Sequence, residues 1–214
     1  MEILGKNNQV IIVKDGVEGL AADKDIVSGL NIKISGNDNT IKLHYPINAL
    51  NSAILIENDG VKVEIGSTNV FYNVCAKIRY GFGQSLSIGR GTTMIGTEIF
   101  INETGKVEIG EDCMFSDHIT IWGSDAHAIS DLETGTILNR PIEPVHIGNH
   151  VWVGQHTKIT KGVYIGNNSV VALGSVACKK YTEDNVVIGG NPAEIIKRNI
   201  TWSRKNTYQI DNNL

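Results

Sequence analysis

Ser124-Asp125-Ala126-His127 is the stretch of this chain best equipped for chemistry. One residue separates the carboxylate from the imidazole, which puts both on the same side of an extended backbone. A carboxylate beside an imidazole can fix its tautomer and raise its basicity, the general-base arrangement. Taken alone the pair is a weak signal, because a histidine in a surface loop is more often inert. Its setting strengthens it. The segment WGSDAHAISDLETGTILNRPIEP, Trp122 to Pro144, is polar, has two prolines and sustains no period. Both of its flanks are strictly periodic, and a long excursion from a regular repeat is usually functional.

The flanks must position that excursion. From Ile147 the sequence reads in sixes: IGNHVW, VGQHTK, ITKGVY, IGNNSV, VALGSV, ACKKYT. The period is neither that of a strand nor that of a helix, and a repeat of six marks a parallel β-helix. The fifth, sixth and first positions make a short strand, with the fifth and first turned inward. Positions two to four turn a corner, and three hexads close one triangular coil. Before the excursion, IGEDCM and FSDHIT keep the same period, with Cys113 in an inward slot. Residues 1–80 are read as a looser version of the same architecture. ENDGVKVEIG at Glu57 to Gly66 is echoed by NETGKVEIG at Asn102 to Gly110, and such internal repetition indicates a solenoid. Asn7, Asn8, Asn37, Asn39 and Asn69 cluster at the expected corners, where Asn tolerates left-handed backbone and bonds its own main chain.

The expected organisation is an all-β parallel β-helix. Irregular coils occupy 1–80 and the hexapeptide coils 81–191, with the inserted loop at 122–144. A C-terminal helix and tail take 192–214. That helix is predicted to start near Pro192 or Ala193, with Ile195 and Ile196 against the end of the barrel and Trp202 extending the contact. It would cap the last coil. The tail from Tyr208 is expected to be loosely ordered.

Composition narrows the function. A formal net charge of −4 gives no case for nucleic acid. Three sparse cysteines without CxxC spacing argue against a disulfide framework or a Cys-rich zinc site, and fit a reducing cytoplasm. The N-terminus lacks the pattern of a signal peptide, and no apolar run approaches the roughly 20 residues of a membrane span. His150 and His156 occupy the fourth position of adjacent hexads, hence different corners, and form no ligand ladder. Together with His118 and His146 they leave a metal site between subunits as a minor reading.

Position six faces outward. It holds Trp152, Lys158, Tyr164, Val170, Val176 and Thr182. Stacking by three hexads sets Val170 beside Trp152, Val176 beside Lys158 and Thr182 beside Tyr164. Outward apolar surface of this kind needs a subunit or a ligand, such as a pantetheine-like chain. Lys179 and Lys180 fall on an expected corner, either simply solvated or holding phosphates as point charges.

These hexads, together with SDAHAI, NRPIEPVHIGNHVWVGQHTKITKGVYIGNNSVVALGSV and IGGNPAEIIK, resemble the left-handed β-helix acyltransferases. The resemblance spans about residues 84 to 200. It is nearest to the enzymes that O-acetylate capsular or lipopolysaccharide sugars, the sialic-acid group among them. It implies left-handed coiling, acetyl-CoA as donor without a metal, a sugar or polysaccharide acceptor, and a homotrimer with its sites between subunits. It implies His127 as general base, with Asp125 orienting it or binding acceptor. Trp152 would line the CoA tunnel, with its backbone N–H a candidate oxyanion donor. Val170 and the chain through Gly174, Ser175, Ala177, Lys179 and Lys180 would line the CoA groove. Gly189, Gly190, Asn191 and Pro192 would form a closing turn near the adenine. The family often has Pro after the loop histidine, where this chain has Ala128. N-acetylation of a sugar-nucleotide amine, a His-metal hydratase of the carbonic-anhydrase type and a non-catalytic scaffold are the competing readings.

Overall fold

A computed structural model describes residues 1–22 and 27–212. Its strands form three sheets of eight, nine and eight strands, the faces A, B and C of a prism. Successive strands visit the faces in turn, and pairing between coils is parallel. Two strands depart from this. Val17–Leu20 pairs antiparallel with Gln9–Lys14, and Ala193–Lys197 pairs antiparallel with Val187–Gly190.

Alternation buries one side of every short strand. Ile147, Val153, Ile159, Ile165, Val171 and Ala177 are all fully buried, as are Val151, Thr157 and Val163. A fully buried Val or Ile is worth about 1.5–3 kcal/mol over an exposed one, so a stack of such positions holds the prism together. Cys113 is also fully buried, donating from Sγ to the Gly148 carbonyl at 3.1 Å. Burial pushes its thiol up to about 11, which makes it a poor nucleophile at neutral pH. The fourth position of the hexad turns each corner through left-handed backbone: φ is 53° at His150, 60° at His156, 55° at Asn168 and 69° at Gly174. Those two histidines are therefore corner residues first.

The coils before the excursion use longer strands, such as Cys75–Gly81 and Thr97–Glu103, whereas strands from Trp152 to Tyr181 are two residues long. The echoed segments supply Lys62–Ile65 and Lys106–Ile109, both on face B with Ser85–Ile88 between them. Asn39 is fully buried, and its amide serves the backbone. Its Nδ2 donates to Asn58 O at 2.8 Å and its Oδ1 accepts from Val61 N at 2.8 Å. Close approach fixes at least one glycine here. A Cβ on Gly36, at φ 147°, would lie 2.1 Å from the Asn58 carbonyl oxygen of the next coil.

Two expectations are corrected. In the last coil Tyr164 pairs with Lys180 and Ile165 with Tyr181, so Lys180, not Thr182, stands beside Tyr164. The coil is two residues short, and a shift of two keeps Tyr181 inward. The second correction concerns Pro192 and Ala193, which start no helix. Ala193–Lys197 folds back as a strand on the otherwise unpaired edge of face C. It covers backbone groups that a helix would leave open. Ile195 packs on the core and Ile196 is exposed. The helix lies further on, Thr207–Asp211, with Asn206 and Gln209 forming a capping box. Most of the tail expected to be loose is that helix; residues 213 and 214 lie outside the described residues.

Candidate active site

The excursion leaves the end of the strand Ile119–Trp122 on face A and rejoins at Val145–Ile147 on face B. Its first residues are tied to the coil. Asp125 Oδ2 is ion-paired with Lys161 Nζ and accepts from Asn139 Nδ2 at 2.7 Å. The same Nδ2 donates to the His127 carbonyl at 2.8 Å, and Asn139 Oδ1 accepts from Ile129 N at 2.7 Å. Asn139 thus clamps the main chain on both sides of residue 128. Burial alone would raise the Asp125 pKa, but the bonds from Lys161 and Asn139 outweigh it and hold the carboxyl below its ordinary value. Asp125 is an anion committed to the tie. No hydrogen bond or ion pair joins it to the His127 ring among the described residues, so the expected carboxylate–imidazole contact is replaced by Asp125–Lys161. Sequence reasoning missed Lys161 and Asn139, which lie far from Asp125 along the chain.

Trp152 stands on face C, half-exposed, paired with Val170 as its hexad position requires. Its indole Nε1 donates to Ser116 Oγ at 3.3 Å. Its backbone N–H donates to the Ser169 carbonyl at 2.9 Å. That group belongs to the ladder, which corrects its expected role as an oxyanion donor. Ser175 and Ala177 are buried, so they offer a groove no side chain. Ser175 Oγ donates to Ala172 O at 2.6 Å. Gly174 is exposed, with nothing within 4 Å of where a Cβ would be. Lys179 is ion-paired with Glu194 and Lys180 with Glu143. Lys180 begins the strand Lys180–Tyr181 instead of turning a corner. Pro192 is exposed in the hairpin turn, beside Gly190 at φ 106°.

Within one chain these residues do not converge. Asp125 and His127 follow face A, whereas Trp152 and Val170 lie on face C and Lys180 on face B. The rings of His118 and His156 lie 4.8 Å apart, but among the described residues no three His, Cys, Asp or Glu side chains form a metal-ligand cluster.

A second tie was not foreseen. Trp202 does not cap the barrel end. It stacks on His150 at 4.1 Å, and its Nε1 donates to His150 O at 2.7 Å. His150 Nδ1 meets Asp112 Oδ2 at 2.7 Å. Arg204 donates to Asp112 Oδ1, Thr93 Oγ1, Gly91 O and Cys113 O at 2.9–3.1 Å. The segment after Lys197 is thereby strapped back along the corner between faces B and C.

No family model matches the chain. Known proteins define its class nonetheless. It is 36% identical over 180 residues to the polysialic acid O-acetyltransferase of Neisseria meningitidis, covering 84% of this chain and 82% of that protein. A crystal structure of the polysialic acid O-acetyltransferase OatWY superposes with a TM-score of 0.82 at 32% identity, covering 97% of this chain and 95% of the other. That of the polySia-specific acetyltransferase NeuO gives 0.81 at 26% identity, covering 96% and 89%. The fold and these likenesses define a left-handed β-helix acyltransferase. The chain belongs to the hexapeptide-repeat sugar O-acetyltransferases, in the branch that contains the polysialic acid O-acetyltransferases.

Proposed function

We propose that the chain transfers the acetyl group of acetyl-CoA to a hydroxyl of a sialic-acid polymer or a related surface polysaccharide, with His127 as general base. The observation that carries this reading is likeness over nearly the whole chain to proteins named for polysialic acid O-acetylation. The geometry supports the role of His127. Its ring is exposed and has no hydrogen-bond partner among the described residues, while its main chain is clamped by Asn139. A base must be positioned yet free to take a proton, and this residue meets both conditions.

His127 Nε2 or Nδ1 takes the acceptor proton as the hydroxyl oxygen attacks the thioester carbonyl. The C–S bond then breaks, and the proton passes from His127 to the departing sulfur, leaving acetylated sugar and free CoA thiol. An oxyanion donor in such a step is typically worth about 3–4 kcal/mol, and here it comes from a group other than the Trp152 N–H. Asp125 holds the segment through Lys161 and does not polarise the ring.

The residues present fit the donor. Trp152 and Val170 offer adjoining apolar surface for a pantetheine arm, and Gly174 leaves open space beside it. Lys179 and Lys180 sit in exposed ion pairs, which are weak enough for phosphates to displace. Because His127 and Trp152 belong to different sides of the prism, a site using both takes them from neighbouring copies, in keeping with a homotrimer. Free cysteines and this donor suit a cytoplasmic enzyme.

The test is thiol release from acetyl-CoA in the presence of polysialic acid, with the acetyl group located by NMR. We expect ester formation on a sugar hydroxyl. His127→Ala should lower kcat by about 10²- to 10⁴-fold. Near-normal turnover by that variant would remove His127 from the role, and an amide product would replace O- by N-acetylation.

A further inference from the structure

Face A carries a row of outward side chains that acyl transfer as described leaves unused. Lys77, Phe100 and Trp122 occupy successive rungs. The Lys77 ammonium lies 4.8 Å from the Phe100 ring centroid, and the Phe100 and Trp122 rings stack at 4.4 Å with 17° between their planes. On the next rung the row drops in size. Ile121 pairs with Ile159, so the residues that follow them, Trp122 and Thr160, are neighbours as well. A threonine cannot cover an indole, and Trp122 remains 36% exposed. Trp122 Nε1 also has no hydrogen-bond partner among the described residues, whereas the indole N–H groups of Trp152 and Trp202 are both bonded. The bare shelf therefore offers a flat π-face and an unspent donor at its edge, with Thr160 below, whose hydroxyl donates to Ala177 O at 3.4 Å.

Its place in the fold says what it is for. Trp122 ends its strand where the excursion begins, five residues ahead of His127. Lys161, next to Thr160, is the residue that ties Asp125. The shelf thus adjoins the fixed base of the His127 segment. A pyranose ring is the complement of such a surface. Its axial C–H bonds meet the negative face of an aromatic ring, and its equatorial hydroxyls reach outward to donors at the edge. An adenine would also stack, but the adenine of a CoA donor lies a whole pantetheine arm from its thioester, away from the base. We propose that Trp122, backed by Phe100 and standing over Thr160, is a stacking subsite for a pyranose of the acceptor chain next to the one that reacts. This rests on the sugar O-acetyltransferase reading and adds an acceptor subsite to it.

The experiment uses Trp122→Ala and Trp122→Phe in the full chain. It measures kcat and both KM values with acetyl-CoA and a soluble polysialic acid fragment, alongside melting temperature and oligomer size. Saturation-transfer NMR from aromatic protons to the same fragment, without donor, reads binding directly. Trp122→Ala should raise the acceptor KM about tenfold or more, as loss of aromatic stacking does elsewhere, with the donor KM and oligomer size unchanged. Trp122→Phe keeps the ring and should cost only a few-fold, and it stands in should the alanine variant not fold. An unchanged acceptor KM and unchanged transfer would overturn the subsite while leaving acetyl transfer intact. A raised donor KM would overturn it in favour of adenine, and a smaller oligomer would make the strip a subunit contact. Saturation transfer that depends on Trp122 in a protein that acetylates no sugar would keep the subsite and remove the enzymatic reading.

Discussion

His150 and His127 are held in opposite ways. Each lies near a segment that leaves the solenoid and is tied back to it. His150 is spent: Nδ1 meets Asp112, Nε2 lies 3.3 Å from the Trp202 carbonyl, its own carbonyl accepts from Trp202, and its ring is stacked. His127 is the reverse, with its backbone held by Asn139 and its ring unengaged. The strap engages the His150 ring directly; the ties on the excursion, Asp125–Lys161 and the Asn139 bonds, bypass the His127 ring and leave it available. Ile129, Leu132, Leu138 and Ile142 are all strongly exposed there as well. The comparison separates a segment that stabilises the fold from one that presents groups outward.

The sharpest way to break this contrast is a pair of alanine variants. If it holds, His127→Ala shows the full loss of kcat given above with little change in melting temperature. His150→Ala should do the opposite, keeping kcat per folded molecule and losing about 1–2 kcal/mol, because Asp112 loses a hydrogen-bond partner and Trp202 a stacked ring. Denaturant titration and initial rates on the same preparations decide it. Similar profiles for the two variants would erase the distinction.

A smaller effect tests the clamp. Asn139→Ala removes three bonds around His127 without touching its ring. Displacing a catalytic group by about an ångström can cost up to about 10²-fold, so a fall in kcat of about 10- to 100-fold is expected, with the melting temperature nearly unchanged. Full activity in this variant would mean that the excursion is positioned by another contact, such as a neighbouring subunit.

How much of this was legible depends on the distance over which each contact acts. The hexads from Ile147 announce themselves because residue type alone distinguishes inward from outward, and the corner positions accept only a few residues. The excursion was visible as the place where that pattern stops. What failed was contact between coils. Nothing local shows that Asp125 would choose Lys161 over His127, or that the Trp152 N–H would be taken by Ser169. The short last coil was hidden because Tyr181 is inward in either register. AEIIK reads as a helix by propensity, but an open sheet edge one turn away made it a strand. The N-terminal coils were dim for a different reason. Their rungs vary in length, so Ser85 pairs with Lys62 at one spacing and with Lys106 at another, and no single period survives.

Acid should sharpen the comparison by the smallest margin. Asp112 and Asp125 anchor the two ties, and both carry lowered pKa values. For Asp112 burial would raise the value, but hydrogen bonds from His150 and Arg204 outweigh it; Lys161 and Asn139 do the same at Asp125. A depressed folded-state value means that the stabilisation is fully present above the ordinary aspartate pKa of about 3.9 and is lost as pH falls through the folded value. Both ties should therefore hold at neutral pH and loosen only below about pH 4. The indole N–H resonance of Trp202, bonded to His150 O, reports on the strap. In Arg204→Ala one source of the depression is gone, so strap release should move to higher pH while the Asp125 tie, read by the Asn139 side-chain amide resonances, loosens over the same range as before. A shift of both signals together would mean that strap and excursion open as one unit.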